Sequence, residues 1–196
     1  MRKSELKRKT GETNIALNLN LDGTGAYDIT TDSGFFKHML ELFAKHGGFD
    51  ITLNASGDSE VDFHHTVEDT GILLGRAFDS ALGDKRGICR YGQIILPMDE
   101  TLILCAVDVS GRSFLNFDVS FPENYKIGEF DAELVEEFMQ AFVREAKMTV
   151  HFKQFYGSNN HHVAEGVFKA FARALKTAVA IDEKNKDVLP STKGVL

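Results

Sequence analysis

Along the first half of the chain, segments with the two-residue alternation of a strand are followed by segments with the apolar spacing of a helix. Apolar and polar side chains alternate over 14–21, which predicts a half-buried strand, and a glycine-rich turn over 22–25 precedes a second strand. Further on, the apolar positions recur at helical spacing. The predicted elements of this half are strands over 14–21 and 26–31, a helix over 35–45, a strand over 49–55 and a helix over about 65–81. Asp32 or Ser33 can cap the first helix, and Gly47 with Gly48 ends it.

The second half repeats this order. Its predicted elements are strands over 93–96, 101–109 and 113–119, a helix over 132–146, a strand over 149–155 and a helix over 163–180. Each half therefore reads as strands, helix, strand, helix. The pattern predicts an α+β fold with helices packed on sheets, built by internal duplication of a strand-strand-helix-strand-helix unit. The join lies near 83–92, so we expect halves of 1–86 and 87–196 that form one compact domain.

A short motif supports the duplication. His64-His65-Thr66-Val67-Glu68 and His161-His162-Val163-Ala164-Glu165 share the pattern HHxxE, about half the chain length apart. The residues after the two motifs also match within the predicted helices. Two copies in register argue for duplication and for a shared chemical role.

Composition and charge narrow the class of protein. The chain has 196 residues, 43% of them hydrophobic, and a net charge of −7, which is typical of a globular protein and unlike a basic nucleic-acid binder. The two cysteines, Cys89 and Cys105, are too few for a disulfide framework and favour a reducing, cytoplasmic compartment. No apolar run reaches the roughly 18 residues of a membrane helix, and the basic start is not followed by an apolar signal segment.

The spacing of the motif predicts metal ligands. On a helix His64 and Glu68 share a face, whereas His65 points about 100° away. The second motif has the same arrangement, with a pair His161 and Glu165 and a spare His162. Two repeats can exchange their spare histidines, which gives two mixed imidazole and carboxylate sites suited to a divalent transition ion. The alternative is that paired histidines at a helix start only cap and pack.

Each preceding helix offers one further ligand. His38 and Glu137 occupy matching places in the two predicted helices, which makes them equivalent candidates. The alternative for Glu137 is a solvated helix carboxylate. His46 reads as a helix-end histidine that uses the favourable dipole, and His151 as a surface or core-edge side chain of a strand.

A cationic set suggests a phosphate site. Arg90, Arg112 and Lys193 stand beside glycines and hydroxyl residues, and guanidinium groups with a lysine can hold a phosphate, although most such residues are only solvated. The chain has no Walker loop, no GxGxxG fingerprint and no GxSxG elbow, and neither cysteine stands in a nucleophile motif.

Taken together, the motifs resemble one known family over nearly the whole chain: the imidazoleglycerol-phosphate dehydratases of histidine biosynthesis. The segments that carry the resemblance are Gly11-Glu12-Thr13, 20–25, His38-Met39-Leu40, 62–69, Pro97-Met98-Asp99-Glu100, 108–112, 160–165, 168–170 and 191–194. The resemblance implies a duplicated α+β unit of the ribosomal protein S5 domain 2-like type. It also implies two Mn²⁺ ions per active site and a homo-oligomer of 24 subunits built from trimers, with sites at subunit interfaces.

The resemblance also assigns residues. One implied ion has the ligands His38, His65, His161 and Glu165, and the other has His64, Glu68, His162 and Glu137. The implied substrate contacts are Glu12, His64, His65, Glu68, Arg90, Arg112, His161, Lys169, Ser191 and Lys193. Glu12, Glu165 and Glu68 are the catalytic candidates. This chain differs from many members of the family at two positions. Many relatives have His where this chain has Glu137, and many have Gln where this chain has Leu42, one helical turn after His38.

The expected reaction is the dehydration of imidazole glycerol phosphate to imidazole acetol phosphate. Bound metal ions would stabilise negative charge on the imidazole ring, so that the neighbouring hydroxyl would leave and a carboxylate would then remove the adjacent C–H proton. Two rivals have different chemistry. A non-catalytic duplicated metal-binding module has no use for Arg90, Arg112 and Lys193, and a two-metal phosphatase would release inorganic phosphate.

Overall fold

The computed structural model describes residues 1–121 and 125–196. Its elements in chain order are β1 (Lys3–Lys9), β2 (Thr13–Asn20), β3 (Tyr27–Thr30), α1 (Gly34–Gly47), β4 (Asp50–Gly57), α2 (His64–Leu82), β5 (Tyr91–Met98), β6 (Thr101–Asp108), β7 (Phe114–Asp118), β8 (Lys126–Ile127), β9 (Phe130–Asp131), α3 (Leu134–Ala146), β10 (Thr149–Tyr156) and α4 (Asn160–Val179). No helix within these residues is both long and apolar enough to span a bilayer.

The first sheet has the strand order β1-β2-β4-β3. β2 pairs antiparallel with both β1 and β4, and β3 pairs parallel with β4. The turn over 22–25 therefore does return the chain, but β4 lies between β2 and β3 and the two strands make no direct ladder. Ser33 caps α1, and Gly48 ends it in the left-handed conformation, as the sequence predicts.

The second sheet has the same topology, with the order β5-β6-β10-β7. β6 pairs antiparallel with β5 and β10, and β7 pairs parallel with β10. The predicted duplication of an α+β unit is confirmed in this repeated order of strands and helices. Each unit has three strands before its first helix, and the second unit also carries the small β8–β9 hairpin ahead of α3.

The strand β1 is absent from the sequence prediction. Its less exposed face carries Ser4, Leu6 and Arg8, so only one of these three half-buried positions is apolar. Arg8 is accommodated there because its guanidinium pairs at 2.8 Å with the buried carboxylate of Asp69, which also accepts a hydrogen bond from Thr13. A pattern of hydrophobic alternation cannot reveal a strand whose inward side chain is a paired cation.

Helices of different repeats pack against each other between the sheets. α1 packs on α4, and α2 packs on α3. Gly71 allows the second crossing, since a Cβ there would lie 2.8 Å from the Phe138 carbonyl oxygen. The first helix of each repeat thus lies beside the HHxxE helix of the other repeat.

Phenylalanine rings fill the space where the four helices meet. Phe43, Phe78, Phe142 and Phe171 come from α1, α2, α3 and α4 in turn, and all four are fully buried. Phe142 lies with its ring centroid 5.0 Å from that of Phe171, 5.1 Å from that of Phe78 and 6.2 Å from that of Phe43. The two repeats therefore share one hydrophobic core.

Candidate active site

Three predicted ligands converge where α1 crosses α4. Ligand atoms of His38, His161 and Glu165 all lie within 4.8 Å of one another. The His161 Nε2 atom is 3.5 Å from the Glu165 Oε2 atom, and the ring of Phe35 packs edge-on against the His161 ring. Two imidazoles and one carboxylate at this spacing form a donor set that a divalent transition ion accepts.

The carboxylate of this cluster is buried, and its two oxygens have different partners. Glu165 is 8% exposed. Its Oε1 atom pairs with the Lys169 ammonium one turn further along α4, while its Oε2 atom faces His161. Lys169 also touches the sulfur of Met98. One oxygen of the carboxylate is therefore neutralised by a lysine, and the other is directed at the imidazoles.

The histidines at the two helix starts are not the caps. Asp62 accepts a hydrogen bond from the His64 backbone N–H, and Asn159 accepts from the N–H groups of His161 and His162. The imidazoles are thus left for other contacts, which argues against the reading in which they only cap the helices.

His65 points away from the intrachain cluster toward an acidic neighbour. Its Nδ1 atom lies 3.0 and 3.1 Å from the two carboxylate oxygens of Asp58. The hydrogen bond to Asp58 raises the pKa of His65, and the nearby charge of Glu12 acts in the same direction. Glu12 itself is exposed beside a hollow of about 210 Å³.

His162 has a matching contact in the second repeat. Its Nδ1 atom lies 2.7 Å from the Glu100 Oε2 atom, and this hydrogen bond raises the pKa of the imidazole. The same contact, together with the backbone N–H of Asn159, lowers the pKa of Glu100 to about 2. Asp58 and Glu100 were not among the sequence candidates.

Three of the residues expected to form the second ligand set, His64, Glu68 and Glu137, lie on α2 and α3. Glu68 lies on α2 and Glu137 on α3, the two helices that pack together. The Glu68 carboxylate is drawn to the Arg144 guanidinium of α3, at 3.7 Å. Over 1–121 and 125–196, His38, His161 and Glu165 form the one group of three or more ligand atoms at this spacing, so Glu68, Glu137 and His64 do not converge in the same way.

The predicted phosphate residues line a common cavity of about 510 Å³. The side chains and backbone around it belong to Arg90, Tyr91, Ser110, Gly111, Arg112, Ser191, Thr192, Lys193, Val195 and Leu196. The fold brings Ser191 and Lys193 to Arg90 and Arg112, although the two pairs lie far apart in the sequence. A cavity with two guanidinium groups, an ammonium and hydroxyls suits an oxyanion.

The Arg90 guanidinium already binds other groups of the chain beside the cavity. Its Nε and Nη2 atoms lie 2.8 and 3.3 Å from the carboxylate of Asp108, and its Nη1 atom donates to the Pro190 carbonyl at 2.8 Å. The guanidinium also covers the ring of Tyr91. Arg90 therefore fastens the C-terminal segment beside the cavity in addition to contributing charge.

The two remaining histidines lie outside these clusters. His46 stands in the last turn of α1, as expected from the dipole argument, but burial lowers its pKa, with further lowering by Lys169 and Arg173. Burial therefore favours its neutral form, which a helix-end dipole alone would not predict. His151 is exposed on β10, where its ring lies 5.5 Å from that of Phe114.

Comparison with known proteins decides the family. The sequence model of imidazoleglycerol-phosphate dehydratase matches residues 31–175. The chain belongs to this family. An imidazoleglycerol-phosphate dehydratase of Methylorubrum populi is 56% identical over 196 residues, and one of Ruegeria pomeroyi is 55% identical, each covering 100% of both chains.

Solved structures of the family have the same fold. The imidazoleglycerol-phosphate dehydratase of Staphylococcus aureus superposes with a TM-score of 0.82 at 39% identity, covering 91% of this chain and 99% of that one. The family member from Pyrococcus furiosus, solved in complex with (S)-C348, has a TM-score of 0.83 at 35% identity and covers 97% of this chain and 100% of that one. The resemblance inferred from the motifs is confirmed.

Proposed function

We propose that this chain is a metal-dependent hydro-lyase that converts imidazole glycerol phosphate to imidazole acetol phosphate in L-histidine biosynthesis. The observation that carries the proposal is the convergence of His38, His161 and Glu165 in a chain that belongs to the dehydratase family. Family membership supplies the reaction class, and the cluster supplies a place for the cation that this chemistry requires.

The donor set fits a divalent transition ion, and we assign it Mn²⁺. His38, His161 and Glu165 hold one ion together with His65. A second ion has the ligands His64, Glu68, His162 and Glu137, which gives two ions per active site. When bound, the ions supply positive charge that stabilises negative charge on the imidazole ring of the substrate.

Carboxylates of the chain move the protons. Loss of water from the diol requires that one carbon loses a hydroxyl and the next loses a hydrogen as a proton. Glu165 and Glu12 are the proposed proton carriers, with Glu68 as a further catalytic candidate. Glu165 is buried in the cluster, whereas Glu12 is exposed to solvent.

The cationic cavity binds the phosphate. Arg112 and Lys193 present positive charge to the phosphate, and Ser191 presents a hydroxyl. Arg90 holds the segment that carries Ser191 and Lys193. Binding energy from this remote group orients the reacting carbons. The further substrate contacts that we propose are His64, His65, His161, Glu68, Glu12 and Lys169.

The geometry of the histidines supports completion of the site by other copies. The cluster at α1 and α4 has three ligands from one chain, while His65 belongs to α2, which packs on α3. We therefore propose that a neighbouring copy supplies His65. From the family resemblance we further propose that 24 subunits assemble from trimers, and from the low cysteine content that they do so in the cytoplasm. In each, 1–86 and 87–196 form two halves of one compact domain.

Turnover of imidazole glycerol phosphate tests the proposal. Protein depleted of metal by a chelator should be inactive and should regain activity with Mn²⁺. The ketone product and inorganic phosphate are measured in parallel. Full activity of a verified metal-free preparation, or release of phosphate without ketone, would contradict it; the latter result identifies a phosphatase.

A further inference from the structure

The two histidines of each HHxxE motif diverge. The rings of His64 and His65 are 6.0 Å apart with an interplanar angle of 89°, and those of His161 and His162 are 6.3 Å apart at 83°. Neighbouring helix positions lie about 100° apart, so the two rings of a pair face different directions. In both repeats the Nδ1 atom of the second histidine lies within hydrogen-bond distance of a carboxylate from outside its own helix.

In the first repeat the carboxylate comes from the connection before α2. Asp58 directly follows β4, and both of its oxygens lie at hydrogen-bond distance from His65 Nδ1, at 3.0 and 3.1 Å. Within the described residues its side chain has no other hydrogen-bond partner.

In the second repeat the carboxylate comes from the turn between β5 and β6. Glu100 reaches His162 Nδ1 at 2.7 Å through its Oε2 atom. Its Oε1 atom accepts hydrogen bonds from the backbone N–H groups of Asn159 at 2.8 Å and Ser158 at 3.3 Å. Glu100 is thus fixed to the segment that starts α4, and its orientation is set by the backbone.

The repeat equivalent of Glu100 is Glu12. Glu12 precedes Thr13, the first residue of β2, and Glu100 precedes Thr101, the first residue of β6. The neighbouring strand confirms the register: a Cβ at Gly57 would be 3.4 Å from Thr13, and one at Gly157 would be 2.5 Å from Thr101. The same position of the fold therefore carries a glutamate in both halves.

These equivalent glutamates have different surroundings. The Glu100 carboxylate is held by His162 and two backbone N–H groups. The Glu12 carboxylate is exposed and has no hydrogen-bond partner in the part of the chain that the structure describes, and the carboxylate beside His65 is that of Asp58.

We propose that Asp58 and Glu100 are positioning residues that hold His65 and His162 with hydrogen on Nδ1 and a free electron pair on Nε2. Glu12, at the place equivalent to Glu100, then acts in the reaction and does not orient a histidine. An ionised carboxylate can only accept a hydrogen bond, so the Nδ1 atom beside it must carry the hydrogen. A neutral imidazole then has its Nε2 electron pair available for a cation. Asp99, the other acidic neighbour of His162, lies 3.8 Å from Nε2, beyond hydrogen-bond distance.

The inference rests on the proposed function, because it takes His65 and His162 as ligands. Its test is Mn²⁺ affinity of the full-length protein, measured from the electron paramagnetic resonance signal of free Mn²⁺. Asp58→Ala and Glu100→Ala should weaken binding by about 10- to 100-fold, the usual cost of removing an orienting partner of a metal-bound histidine. Asp58→Asn and Glu100→Gln should recover much of the affinity, since an amide oxygen still accepts from Nδ1.

Two controls separate positioning from charge and from stability. Glu60→Ala removes one negative charge from the same connection as Asp58 and should leave the affinity unchanged. Glu12→Gln should bind Mn²⁺ like the wild type and yet lose turnover at saturating metal. Melting temperatures of all variants show whether a loss of affinity merely follows unfolding.

The possible results are distinct. Wild-type protein that binds no Mn²⁺ contradicts the proposed function itself. Wild-type protein that binds it, with Asp58→Ala and Glu100→Ala equally tight, overturns the positioning roles alone. If Glu12→Gln weakens Mn²⁺ binding as strongly as Glu100→Ala, Glu12 also orients a metal ligand and its proposed separate role in the reaction is wrong. If Glu100→Gln does not restore the Mn²⁺ affinity, Glu100 only stabilises the start of its helix.

Discussion

Replacing Arg90 by lysine should detach the C-terminal segment from the phosphate cavity while keeping the charge. The guanidinium fork binds Asp108 through two nitrogens and the Pro190 carbonyl through the third. Lysine has one compact ammonium and cannot span both partners. Arg90 also has a left-handed backbone, with φ of 71°, which is sustained by these contacts.

The magnitude follows from the hydrogen bond that is lost. A bond from a charged donor contributes about 1.5–3 kcal/mol, so loss of the contact to Pro190 should raise the open population of the segment by about 10- to 150-fold. Ser191 and Lys193 follow directly and are proposed phosphate contacts. The KM for the substrate should rise because the competent segment is less populated.

Amide hydrogen exchange measures the opening directly. The N–H groups of Ser191 and Gly194 donate to carbonyls within the segment, at 2.7 and 3.3 Å, and should exchange faster in Arg90→Lys. Arg86→Lys is the matched control, because Arg86 also donates to a carbonyl of this segment, that of Asp187, but is 56% exposed. Unchanged exchange in Arg90→Lys, or equal acceleration in Arg86→Lys, would refute the reasoning.

Three further predictions concern the second ligand set, the shared core and the ion pair between Arg2 and Asp22. Glu137→Ala should lower the metal content from about two ions toward about one per subunit, while Glu137→His and His151→Ala should retain both ions. Elemental analysis measures this. If Glu137→Ala keeps both ions and His151→Ala loses one, the ligand is on strand β10. Phe142→Ala should cost about 3–5 kcal/mol in a single urea transition, because the ring is fully buried among rings of the other three helices, and two separate transitions would contradict a shared core. Arg2 lowers the pKa of Asp22, so the stabilisation from this pair is present above the ordinary carboxyl value of 3.8 and is lost as the pH falls through the lowered value. Asp22→Asn should accordingly reduce the melting temperature at pH 7 and progressively less below pH 3.8, and a pH-independent difference would be the contrary result.

The sequence predicts the helices better than the strands. α1 to α4 begin and end within a few residues of their predicted bounds, since each has an apolar face of helical spacing and, in α1, a serine cap and a terminal glycine. β1 escapes prediction because half-buried Arg8 is paired with Asp69, and the insertion of β4 between β2 and β3 depends on long-range pairing that local turns do not specify.

The site is only partly visible in the sequence. The repeated HHxxE motif indicates the ligands, and the duplication makes His38 a candidate, but the crossing of α1 with α4 arises from tertiary packing. Asp58 and Glu100 escape prediction because their partners become apparent only when the connections are folded onto the helix starts. A signal did exist for Glu100: the dipeptides Glu12-Thr13 and Glu100-Thr101 repeat in the two halves.

The central claim is that His38, His161 and Glu165 form the catalytic metal site. Anomalous diffraction at the manganese edge, from crystals of the Mn²⁺-loaded protein, tests it most directly. The account predicts a peak at bonding distance from all three side chains, completed by a histidine of a neighbouring copy. A manganese peak elsewhere, with the Glu165 carboxylate still paired only with Lys169 and His161, would contradict it.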